Sequence, residues 1–344
     1  MTDVYVGSGL LERLPSILRS KRRRATLVTD SALAGTLGRR LAAAFRKAGW
    51  EAPLFVLPRG ETAKSLASVA RLWDFLLKTG HERRDPVVAL GGGTVGDAAG
   101  FAAATWMRGV PLVQVPTTLL AQADSCLGGK TAVNLPGAKN AVGAFHQPDA
   151  AVADVGTLKT LPERDYRSGL AEVVKYGLVL DAAFARELDR RWGLLERRES
   201  AALSWAVGRS LRLKAGIVAE DERDFSGRRE LLNFGHTLGH ALESASDYRV
   251  RHGEAVAFGM RAAVLLSGPL KEAALIERLL DRLPFPSLAG IRGKALFRLL
   301  ARDKKARGGV PVFVLLQGLA RPLRTQTVDE RQVLAVLAAL GVKP

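Results

Sequence analysis

The chain has 344 residues, and 51 Lys plus Arg against 34 Asp plus Glu give it a formal charge of +17. Because a single hydrophobic core stops growing at roughly 250–300 residues, the length predicts two domains. Hydrophobic residues make up 47% of the chain and charged residues 25%, and these proportions exclude a disordered protein.

The positive charge is spread along the chain. Arginine accounts for 37 of the 51 basic residues, and the densest cluster is at positions 21–24. Aromatic residues do not alternate with the arginines, as they would in a surface that stacks on bases. We therefore expect a solvated, arginine-rich surface and no nucleic-acid partner.

Cysteine content and the N-terminal sequence are typical of a cytoplasmic protein. The single cysteine, Cys126, excludes an internal disulfide, and the first 14 residues lack the basic stretch and unbroken apolar run of a signal peptide. Uncharged stretches are shorter than the roughly 20 residues that span a bilayer, so no membrane partner is expected. Cys126 has no histidine near it in sequence and is interpreted as a packing residue rather than a nucleophile.

Up to residue 150, short β-branched runs alternate with longer amphipathic stretches, which is the pattern of a parallel sheet wrapped by helices. The elements predicted there, in chain order, are a strand at 25–29, a helix at 31–49, a strand at 53–57, a helix at 64–79, a strand at 86–91, a helix that follows it through residue 106, and a strand at 112–115. Beyond residue 162 the periodicity predicts an all-helical half. Its elements are helices at 163–192, 201–222, 234–246 and 253–266, a strand at 310–316 and a last helix at 329–340.

A glycine-rich turn follows the strand predicted at 86–91. Its sequence is Gly91-Gly92-Gly93-Thr94-Val95-Gly96-Asp97, and glycines at 91, 93 and 96 have the spacing of a dinucleotide-binding loop before a helix. The acidic residue expected about 20 positions later is absent, which leaves a structural tight turn as the alternative. Asp97 could instead meet the ribose or the nicotinamide side of a dinucleotide.

A second glycine-rich segment, Asp124-Ser125-Cys126-Leu127-Gly128-Gly129-Lys130-Thr131, ends like a phosphate-binding P-loop. The P-loop pattern needs glycine where this chain has Asp124, so the segment is not a Walker A motif. Lys130 remains a candidate for holding an anion.

Histidines cluster in the second half of the chain. Three of the five, His236, His240 and His252, fall within seventeen residues, and the spacing of the first two puts both rings on one helix face. Imidazole nitrogen is the commonest ligand of zinc-like ions, so the cluster predicts a metal site. The alternative is that they are core histidines whose ring nitrogens have ordinary hydrogen-bond partners.

A third ligand must come from elsewhere in the chain. Glu172 and Lys175 lie three residues apart within an otherwise apolar helical stretch. In one interpretation they form an ordinary intrahelical ion pair. In the other, Glu172 is a metal ligand and Lys175 is a neighbouring cation, because a charged pair that is buried without a function would be costly.

Taken together, these segments resemble the 3-dehydroquinate synthase family, the NAD- and metal-dependent enzymes that form the carbocycle of the shikimate pathway. The resemblance runs from about residue 4 to residue 316 with its segments in one order. They are Gly60-Glu61-Thr62-Ala63-Lys64-Ser65, Gly91 to Asp97, Met107-Arg108-Gly109, Pro116-Thr117-Thr118-Leu119-Leu120, Asp124 to Thr131, Lys139-Asn140, Ala171-Glu172-Val173-Val174-Lys175-Tyr176-Gly177, Asn233 to His240, His252-Gly253-Glu254 and Asp303-Lys304-Lys305.

The resemblance implies a Rossmann-like NAD-binding α/β domain at 1–157 and an all-helical metal- and substrate-binding domain at 158–344. It implies a homodimer in which Arg108 reaches the neighbouring subunit's site. It also implies Zn²⁺ or Co²⁺ held by Glu172, His236 and His252, which makes His240 a substrate contact.

The resemblance also implies which residues bind NAD and substrate. The implied NAD-binding residues are Arg59, Gly60, Glu61, Thr62, Ala63, Lys64, Gly93, Thr94, Val95, Gly96, Asp97, Thr117, Thr118, Lys130, Lys139, Thr157, Leu158, Lys159 and Thr160. The implied catalytic or substrate-holding residues are Arg108, Asp124, Lys130, Asn140, Lys175, Lys214, Arg229, Asn233, His240 and one of Lys304 and Lys305.

The implied reaction converts 3-deoxy-D-arabino-heptulosonate 7-phosphate to 3-dehydroquinate and phosphate. It proceeds by NAD-mediated oxidation, β-elimination of phosphate, reduction, ring opening and intramolecular aldol closure. A substrate that carries a carboxylate and a phosphate suits a cluster of Lys, Arg and Asn.

Alternatives and departures remain. Another sugar-phosphate cyclase, such as a 2-deoxy-scyllo-inosose synthase, or a metal-dependent polyol dehydrogenase would share the fold. The segment between Glu222 and Arg229 is one residue longer than is usual in the family, and Asp224 stands where Glu is usual, so a role for Asp224 is left open. The amino acids at residues 135–138 also differ from those that are common in the family before Lys139.

Overall fold

The computed structural model describes residues 2–18, 22–136, 138–301 and 311–344. They cluster into two compact units. One unit comprises Met1–Leu161 and Arg198–Leu211, and the other comprises Pro162–Arg197 and Arg212–Pro344. Among the described residues, no helix is both long enough and apolar enough to cross a membrane.

The first unit contains the first eight strands. They are β1 (Asp3–Gly7), β2 (Thr26–Asp30), β3 (Leu54–Leu57), β4 (Val87–Gly91), β5 (Leu112–Pro116), β6 (Lys130–Leu135), β7 (Ala138–Phe145) and β8 (Ala150–Asp154). A six-stranded parallel sheet has the order β1-β8-β5-β4-β2-β3, and β6 and β7 form a separate antiparallel hairpin. The chain leaves β2 for β3 on one side and then returns to β4 on the other. Open α/β sheets bind ligands at the carboxyl ends of strands where the order reverses in this way.

Helices and short turns connect these strands. The α-helices are α1 (Leu14–Ile17), α2 (Arg39–Lys47), α3 (Leu66–Lys78) and α4 (Gly93–Thr105). One core cluster joins residues such as Leu41 and Phe45 of α2 to Leu27 and Val88 of the sheet. The other cluster joins α3 and α4 to the alternate strand residues, such as Val28 and Val87, whose side chains lie on the opposite face of the sheet. Both faces of the sheet are therefore covered, which explains why its four inner strands, β8, β5, β4 and β2, are buried along almost all of their length.

Helices make up most of the second unit. From α5 onward they are α5 (Glu163–Leu180), α6 (Ala182–Glu196), α7 (Ser200–Glu220), α8 (His236–Ala245), α9 (His252–Ser267), α10 (Ala273–Asp281), α11 (Gly293–Ala301) and α12 (Glu330–Ala339). Residues of α7 belong to both units. A short antiparallel ribbon of β9 (Phe313–Leu316) and β10 (Pro322–Thr325) accompanies the helices.

The predicted fold class is confirmed: a parallel sheet with helices is followed by a helical region. The strands predicted at 25–29, 53–57, 86–91 and 112–115 correspond to β2, β3, β4 and β5. β9 lies within the strand predicted at 310–316, of which residue 310 is outside the described residues. The ribbon's second strand, β10, interrupts the all-helical pattern and was not predicted.

Two predicted helices are wrong in detail. The helix at 163–192 is two helices, because Asp181 has an extended backbone with φ −152° and its carboxylate accepts the Phe184 N–H at 3.0 Å, capping α6. The helix at 31–49 begins with a π-helical turn at Ala34–Gly38 before α2. Strands β1 and β8 and the β6–β7 hairpin were not predicted. Strand β8 is alanine-rich and therefore lacks the β-branched signal on which the predictions relied.

Cys126 is buried, 4% exposed, and its thiol lies 3.7 Å from the carbonyl oxygen of Gln122. This environment is that of a packing residue.

Candidate active site

Three potential metal ligands meet in the second unit. Glu172 lies in the middle of α5, while His236 and His252 are the first residues of α8 and α9. Their ligand atoms all lie within 4.8 Å of one another. The Nε2 atoms of His236 and His252 lie 3.4 and 3.5 Å from the same Glu172 oxygen, Oε1.

This donor set fits a small divalent cation. A tetrahedral metal with bonds of about 2.0–2.1 Å separates its ligand atoms by roughly 3.3–3.4 Å, and the two distances from Glu172 Oε1 are close to that value. One carboxylate and two imidazoles are also a common ligand set of catalytic zinc, which leaves a further position open for substrate. The three residues therefore fit the metal that the sequence analysis expects.

Outer contacts orient the two imidazoles. Nδ1 of His236 lies 3.2 Å from the carbonyl oxygen of Phe234, so the ring can donate there and present an unprotonated Nε2 toward Glu172. Nδ1 of His252 lies 3.4 Å from Oε1 of Glu243 on α8. Burial would lower the pKa of His252, but its hydrogen bonds with Glu172 and Glu243 outweigh burial and raise that pKa to about 10. The two carboxylates that flank His252 therefore favour positive charge at this position.

Lys175 forms an ion pair with Glu172 across one turn of α5. The Glu172 side chain is fully buried and that of Lys175 is 2% exposed. The spacing of three residues predicted this pair, and its burial distinguishes it from an ordinary surface pair. An ammonium at this position stabilises the negative charge of a buried carboxylate that would otherwise be costly.

His240 joins the cluster one helical turn after His236. Its ring centroid lies 5.3 Å from that of His236 and 6.3 Å from that of His252. Ligand atoms of His240, Glu243 and His252 also lie within 4.8 Å of one another. The structure therefore brings all three clustered histidines to one place, with His240 beside the donors that surround Glu172.

Glycines allow α8 and α9 to approach closely enough for this convergence. Gly235, with φ +80°, precedes α8. A Cβ on Gly259 of α9 would lie 1.8 Å from the carbonyl oxygen of Gly235. A further contact fixes the start of α9: Arg164 donates to both carboxylate oxygens of Glu254, at 2.6 and 2.7 Å. Glu254 in turn accepts the Arg251 N–H at 3.0 Å in a capping box.

Besides Lys175 and His240, the expected substrate residues that the structure describes in the second unit lie on two segments. Lys214 is on α7 and is 7% exposed, while Arg229 and Asn233 bound a 3₁₀ turn. The Arg229 guanidinium donates to the Glu222 carbonyl at 2.9 Å. Asp224 has φ +59° in the same segment. Lys304 and Lys305 lie outside the described residues.

Asp221 holds the segment that leads to Arg229. Its carboxylate accepts the backbone N–H groups of Phe225, Ser226 and Arg229 at 2.8, 3.2 and 3.3 Å. Burial raises the pKa of Asp221, but the hydrogen bonds from Ser226, Arg229 and Phe225 prevail and lower it to about 2.

The expected NAD segments of the first unit follow adjacent strands. The glycine turn follows β4, Thr117 and Thr118 follow β5, and the 3₁₀ turn Val155–Thr160 follows β8. Since these three strands are neighbours in the parallel sheet, their carboxyl ends form one edge. The Thr117 N–H donates to the Gly91 carbonyl at 2.9 Å, which ties two of these turns together.

The glycine turn shows features of both interpretations. A Cβ at Gly91 would lie 2.5 Å from Val95, and one at Gly96 would lie 2.8 Å from Gln114, so these glycines are required for packing. Helix α4 begins at Gly93, and its N-cap residue, Gly92, has no side chain with which to cap the first turn. An uncapped helix start beside close-packed glycines suits a pyrophosphate.

A polar network connects the remaining cofactor segment to this region. Lys64 Nζ lies 2.5 Å from Asp97 Oδ2 and 2.5 Å from Asn140 Oδ1. Lys139 Nζ lies 4.0 Å from Glu61. Lys64, expected to contact NAD, and Asn140, expected to contact substrate, are therefore bound to each other through their side chains.

Other predicted residues of the first unit lie on turns and the hairpin. Asp124 is in a π-helical turn at Ala121–Ser125, and Lys130 is the exposed first residue of β6. Arg108 has φ +65° in the turn that follows α4.

Three residues that position candidate site residues were not identified from the sequence: Glu243, Asp221 and Asn134. The Nδ2 of Asn134 donates to Glu61 Oε2 at 2.7 Å. Glu243 follows His236 by seven residues and His240 by three, so helical spacing could have found it. Asp221 and Asn134 act on loop backbone and on a distant segment, and no periodic signal marks such contacts.

Solved structures of similar proteins define the class. The 2-epi-5-epi-valiolone synthase ValA from Streptomyces hygroscopicus subsp. jinggangensis 5008, with NAD⁺ and Zn²⁺ bound, is 31% identical, with a TM-score of 0.89 over 99% of this chain and 97% of that one. A 2-deoxy-scyllo-inosose synthase complexed with carbaglucose-6-phosphate, NAD⁺ and Co²⁺ is 28% identical, with a TM-score of 0.84 over 98% of this chain and 96% of that one. The fold and the site thus define a sugar-phosphate cyclase.

The sequence comparison is more specific. Residues 54–168 match the family described as 3-dehydroquinate synthase N-terminal, and residues 169–306 match 3-dehydroquinate synthase C-terminal. A 3-dehydroquinate synthase from Symbiobacterium thermophilum is 47% identical over 323 residues, which cover 91% of this chain and 90% of the relative. The chain belongs to the 3-dehydroquinate synthase family, and the resemblance found in the sequence is confirmed.

Proposed function

We propose that this chain is an NAD- and divalent-metal-dependent enzyme that converts 3-deoxy-D-arabino-heptulosonate 7-phosphate to 3-dehydroquinate and phosphate. The observation that carries the proposal is the convergence of Glu172, His236 and His252 on one point beside a buried lysine. Membership of the 3-dehydroquinate synthase family supports the choice of substrate and product.

Glu172, His236 and His252 hold the metal, and Lys175 and Glu243 keep the ligands in place. The Lys175 ammonium stabilises the ionised Glu172 carboxylate, and Glu243 orients His252 through Nδ1. When bound, Zn²⁺ or Co²⁺ supplies Lewis-acid polarisation of a substrate oxygen, and NAD⁺ accepts and returns a hydride.

The remaining polar residues bind substrate and cofactor. Cationic side chains neutralise the carboxylate and phosphate of the substrate, whereas amide and carboxylate side chains bind its hydroxyl groups. The proposed substrate set is Arg108, Asp124, Lys130, Asn140, Lys175, Lys214, Arg229, Asn233 and His240, with one of Lys304 and Lys305. The proposed NAD set is residues 59–64, 93–97 and 157–160 with Thr117, Thr118, Lys130 and Lys139.

The assembly proposed for the enzyme is a cytoplasmic homodimer, with an NAD-binding domain at 1–157 and a metal- and substrate-binding domain at 158–344. Arg108 lies in a turn where Met107, Arg108 and Gly109 all have positive φ, and the Met107 side chain is exposed. A turn of defined backbone conformation that presents an apolar residue and a cation suits contact with a second copy of the chain. Light scattering on the purified protein tests the dimer.

The decisive experiment for the activity is incubation of the protein with the heptulosonate phosphate, Zn²⁺ or Co²⁺ and substoichiometric NAD⁺. Phosphate and 3-dehydroquinate are expected in equal amounts that exceed the NAD⁺ added, because each turnover eliminates one phosphate and the returned hydride regenerates the cofactor. NADH accumulating in proportion to substrate consumed would indicate a polyol dehydrogenase instead. If neither product is released, but the protein consumes another sugar phosphate supplied in place of the heptulosonate phosphate, the result would indicate a different cyclase.

A further inference from the structure

The side chain of Asn134 lies between two parts of the first unit that carry different proposed ligands. Its Nδ2 donates to Glu61 Oε2 at 2.7 Å, and its Oδ1 accepts the Asn140 N–H at 3.0 Å. Glu61 belongs to the 3₁₀ turn Gly60–Ala63 of the proposed NAD segment, whereas Asn140 is on β7 and is a proposed substrate residue. One amide thus uses its donor toward one segment and its acceptor toward the other.

The backbone of Asn134 makes a third connection. Its N–H donates to the Lys64 carbonyl at 2.7 Å, next to an isolated parallel bridge between Ser65 and Asn134. This backbone bond brings strand β6 alongside the NAD segment and is independent of the side chain. The side chain adds one hydrogen bond to Glu61 on one side and one to Asn140 on the other.

Asn140 needs such a restraint. Its φ is +52°, a left-handed conformation that is uncommon outside glycine, although asparagine tolerates it better than most residues. Its side chain and Asp97 converge on Lys64 Nζ at 2.5 Å each. Any rotation of the Asn140 backbone would therefore move a group bound to a proposed NAD residue.

We propose that Asn134 is a positioning residue that fixes the NAD segment at residues 59–64 to the β6–β7 hairpin, so that Lys64 and Asn140 stay together beside Asp97. This inference rests on the proposed function, which assigns residues 59–64 to NAD and Asn140 to substrate. Asn134 touches neither ligand in this account. It acts through Glu61 and Asn140.

A donor-swap experiment tests the contact to Glu61. Asn134→Asp keeps an acceptor for the Asn140 N–H but sets a carboxylate against Glu61, and NAD⁺ affinity measured by calorimetry is expected to fall roughly three- to tenfold. Adding Glu61→Gln restores a donor and an acceptor with their roles exchanged. The double variant is expected to bind NAD⁺ at least about threefold more tightly than the two single variants predict by additivity.

A second variant tests the contact to Asn140. Asn134→Ala removes both side-chain bonds, so it is expected to raise the KM for the heptulosonate phosphate at least about threefold above that of Asn134→Asp, with a smaller change in kcat. Gln317→Glu is the charge control, because it adds one negative charge at an exposed position of the second unit. It is expected to leave NAD⁺ affinity within twofold of the original protein.

Additive effects of Asn134→Asp and Glu61→Gln on NAD⁺ affinity would overturn the proposal, as would equal KM values in Asn134→Ala and Asn134→Asp. An unfolding midpoint is recorded for every variant, so that a loss of fold is separated from a loss of positioning. Calorimetry with NAD⁺ requires no turnover. The affinity cycle therefore stands or fails separately from the identity of the sugar phosphate.

Discussion

Gly253 at the start of α9 is in direct contact with Ser168 of α5. A Cβ at position 253 would lie 1.8 Å from the Ser168 carbonyl oxygen, and the Gly253 N–H donates to Ser168 Oγ at 3.0 Å. Gly253 follows His252, and Ser168 precedes Glu172 by one helical turn. This contact therefore sets the distance between two of the proposed metal ligands.

Gly253→Ala is expected to separate α5 from α9 and to weaken metal binding. Because the new methyl group meets backbone rather than a flexible side chain, the variant should lose about 1–3 kcal/mol of unfolding free energy or more. Its Zn²⁺ affinity, measured by competition with a chromogenic chelator, should fall at least about tenfold. The matched control is Gly208→Ala on α7, where a Cβ would have no described atom within 4 Å beyond its chain neighbours and its own helix backbone.

The control variant should be slightly more stable than the original protein, by about 0.4–1 kcal/mol, because alanine restricts the unfolded chain and suits a helix interior. A Gly253→Ala protein with unchanged stability and metal affinity would show that the helices can adjust. The contact with Ser168 would then have no part in placing His252.

Removal of the metal is expected to abolish turnover. A strong chelator followed by desalting should lower kcat at least about 100-fold, and Zn²⁺ or Co²⁺ should restore it, since the donor set leaves room for substrate on the metal. The measurement pairs activity with metal content. Turnover that persists in protein shown to be metal-free would refute the proposed chemistry.

Alanine variants distinguish the ligand from the neighbouring imidazole. His252→Ala is expected to lose stoichiometric metal, because its Nε2 is one of the converging donors at 3.5 Å from Glu172. His240→Ala is expected to keep the metal and lose turnover, since it is proposed to contact substrate. Metal content is measured by atomic emission on dialysed protein. Equal metal loss in both variants would instead favour the second donor group of His240, Glu243 and His252.

The Asp221 carboxylate is expected to make stability depend on acid pH. Its pKa is about 2 in the folded protein against a usual value of 3.8, so its contribution is present above about pH 4 and is lost as pH falls through about 2. Asp221→Asn should therefore lower the denaturation midpoint at pH 7, and the difference from the original protein should shrink between pH 4 and pH 2. Asp74→Asn, at an exposed position of α3, is the control and should show no such difference.

A difference that persists unchanged down to pH 2 would contradict this account of Asp221. The variant should also raise the KM for the heptulosonate phosphate, because the same carboxylate holds the backbone N–H of Arg229.

Local sequence signals located much of the fold and several parts of the site. Strand β4, the glycine turn and the start of α4 follow one another directly in the chain, so periodicity and residue type were sufficient to find them. His236 and His240 share a helix face for the same reason. The break between α5 and α6 is not visible in the sequence pattern, because a single capping residue, Asp181, ends one helix and begins the next without interrupting the apolar periodicity.

The amino-acid sequence is sufficient to identify the family, the parallel sheet with its glycine turn, and the scarce histidines that point to a metal. The folded chain, in contrast, is needed to see that Glu172, His236 and His252 meet, that Lys175 is buried against the carboxylate, and that Asn134 joins Glu61 to Asn140. The physical reason is that these contacts depend on how helices and a hairpin pack across long separations in sequence. That packing is set by close approaches such as Gly253 to Ser168, which periodicity does not record.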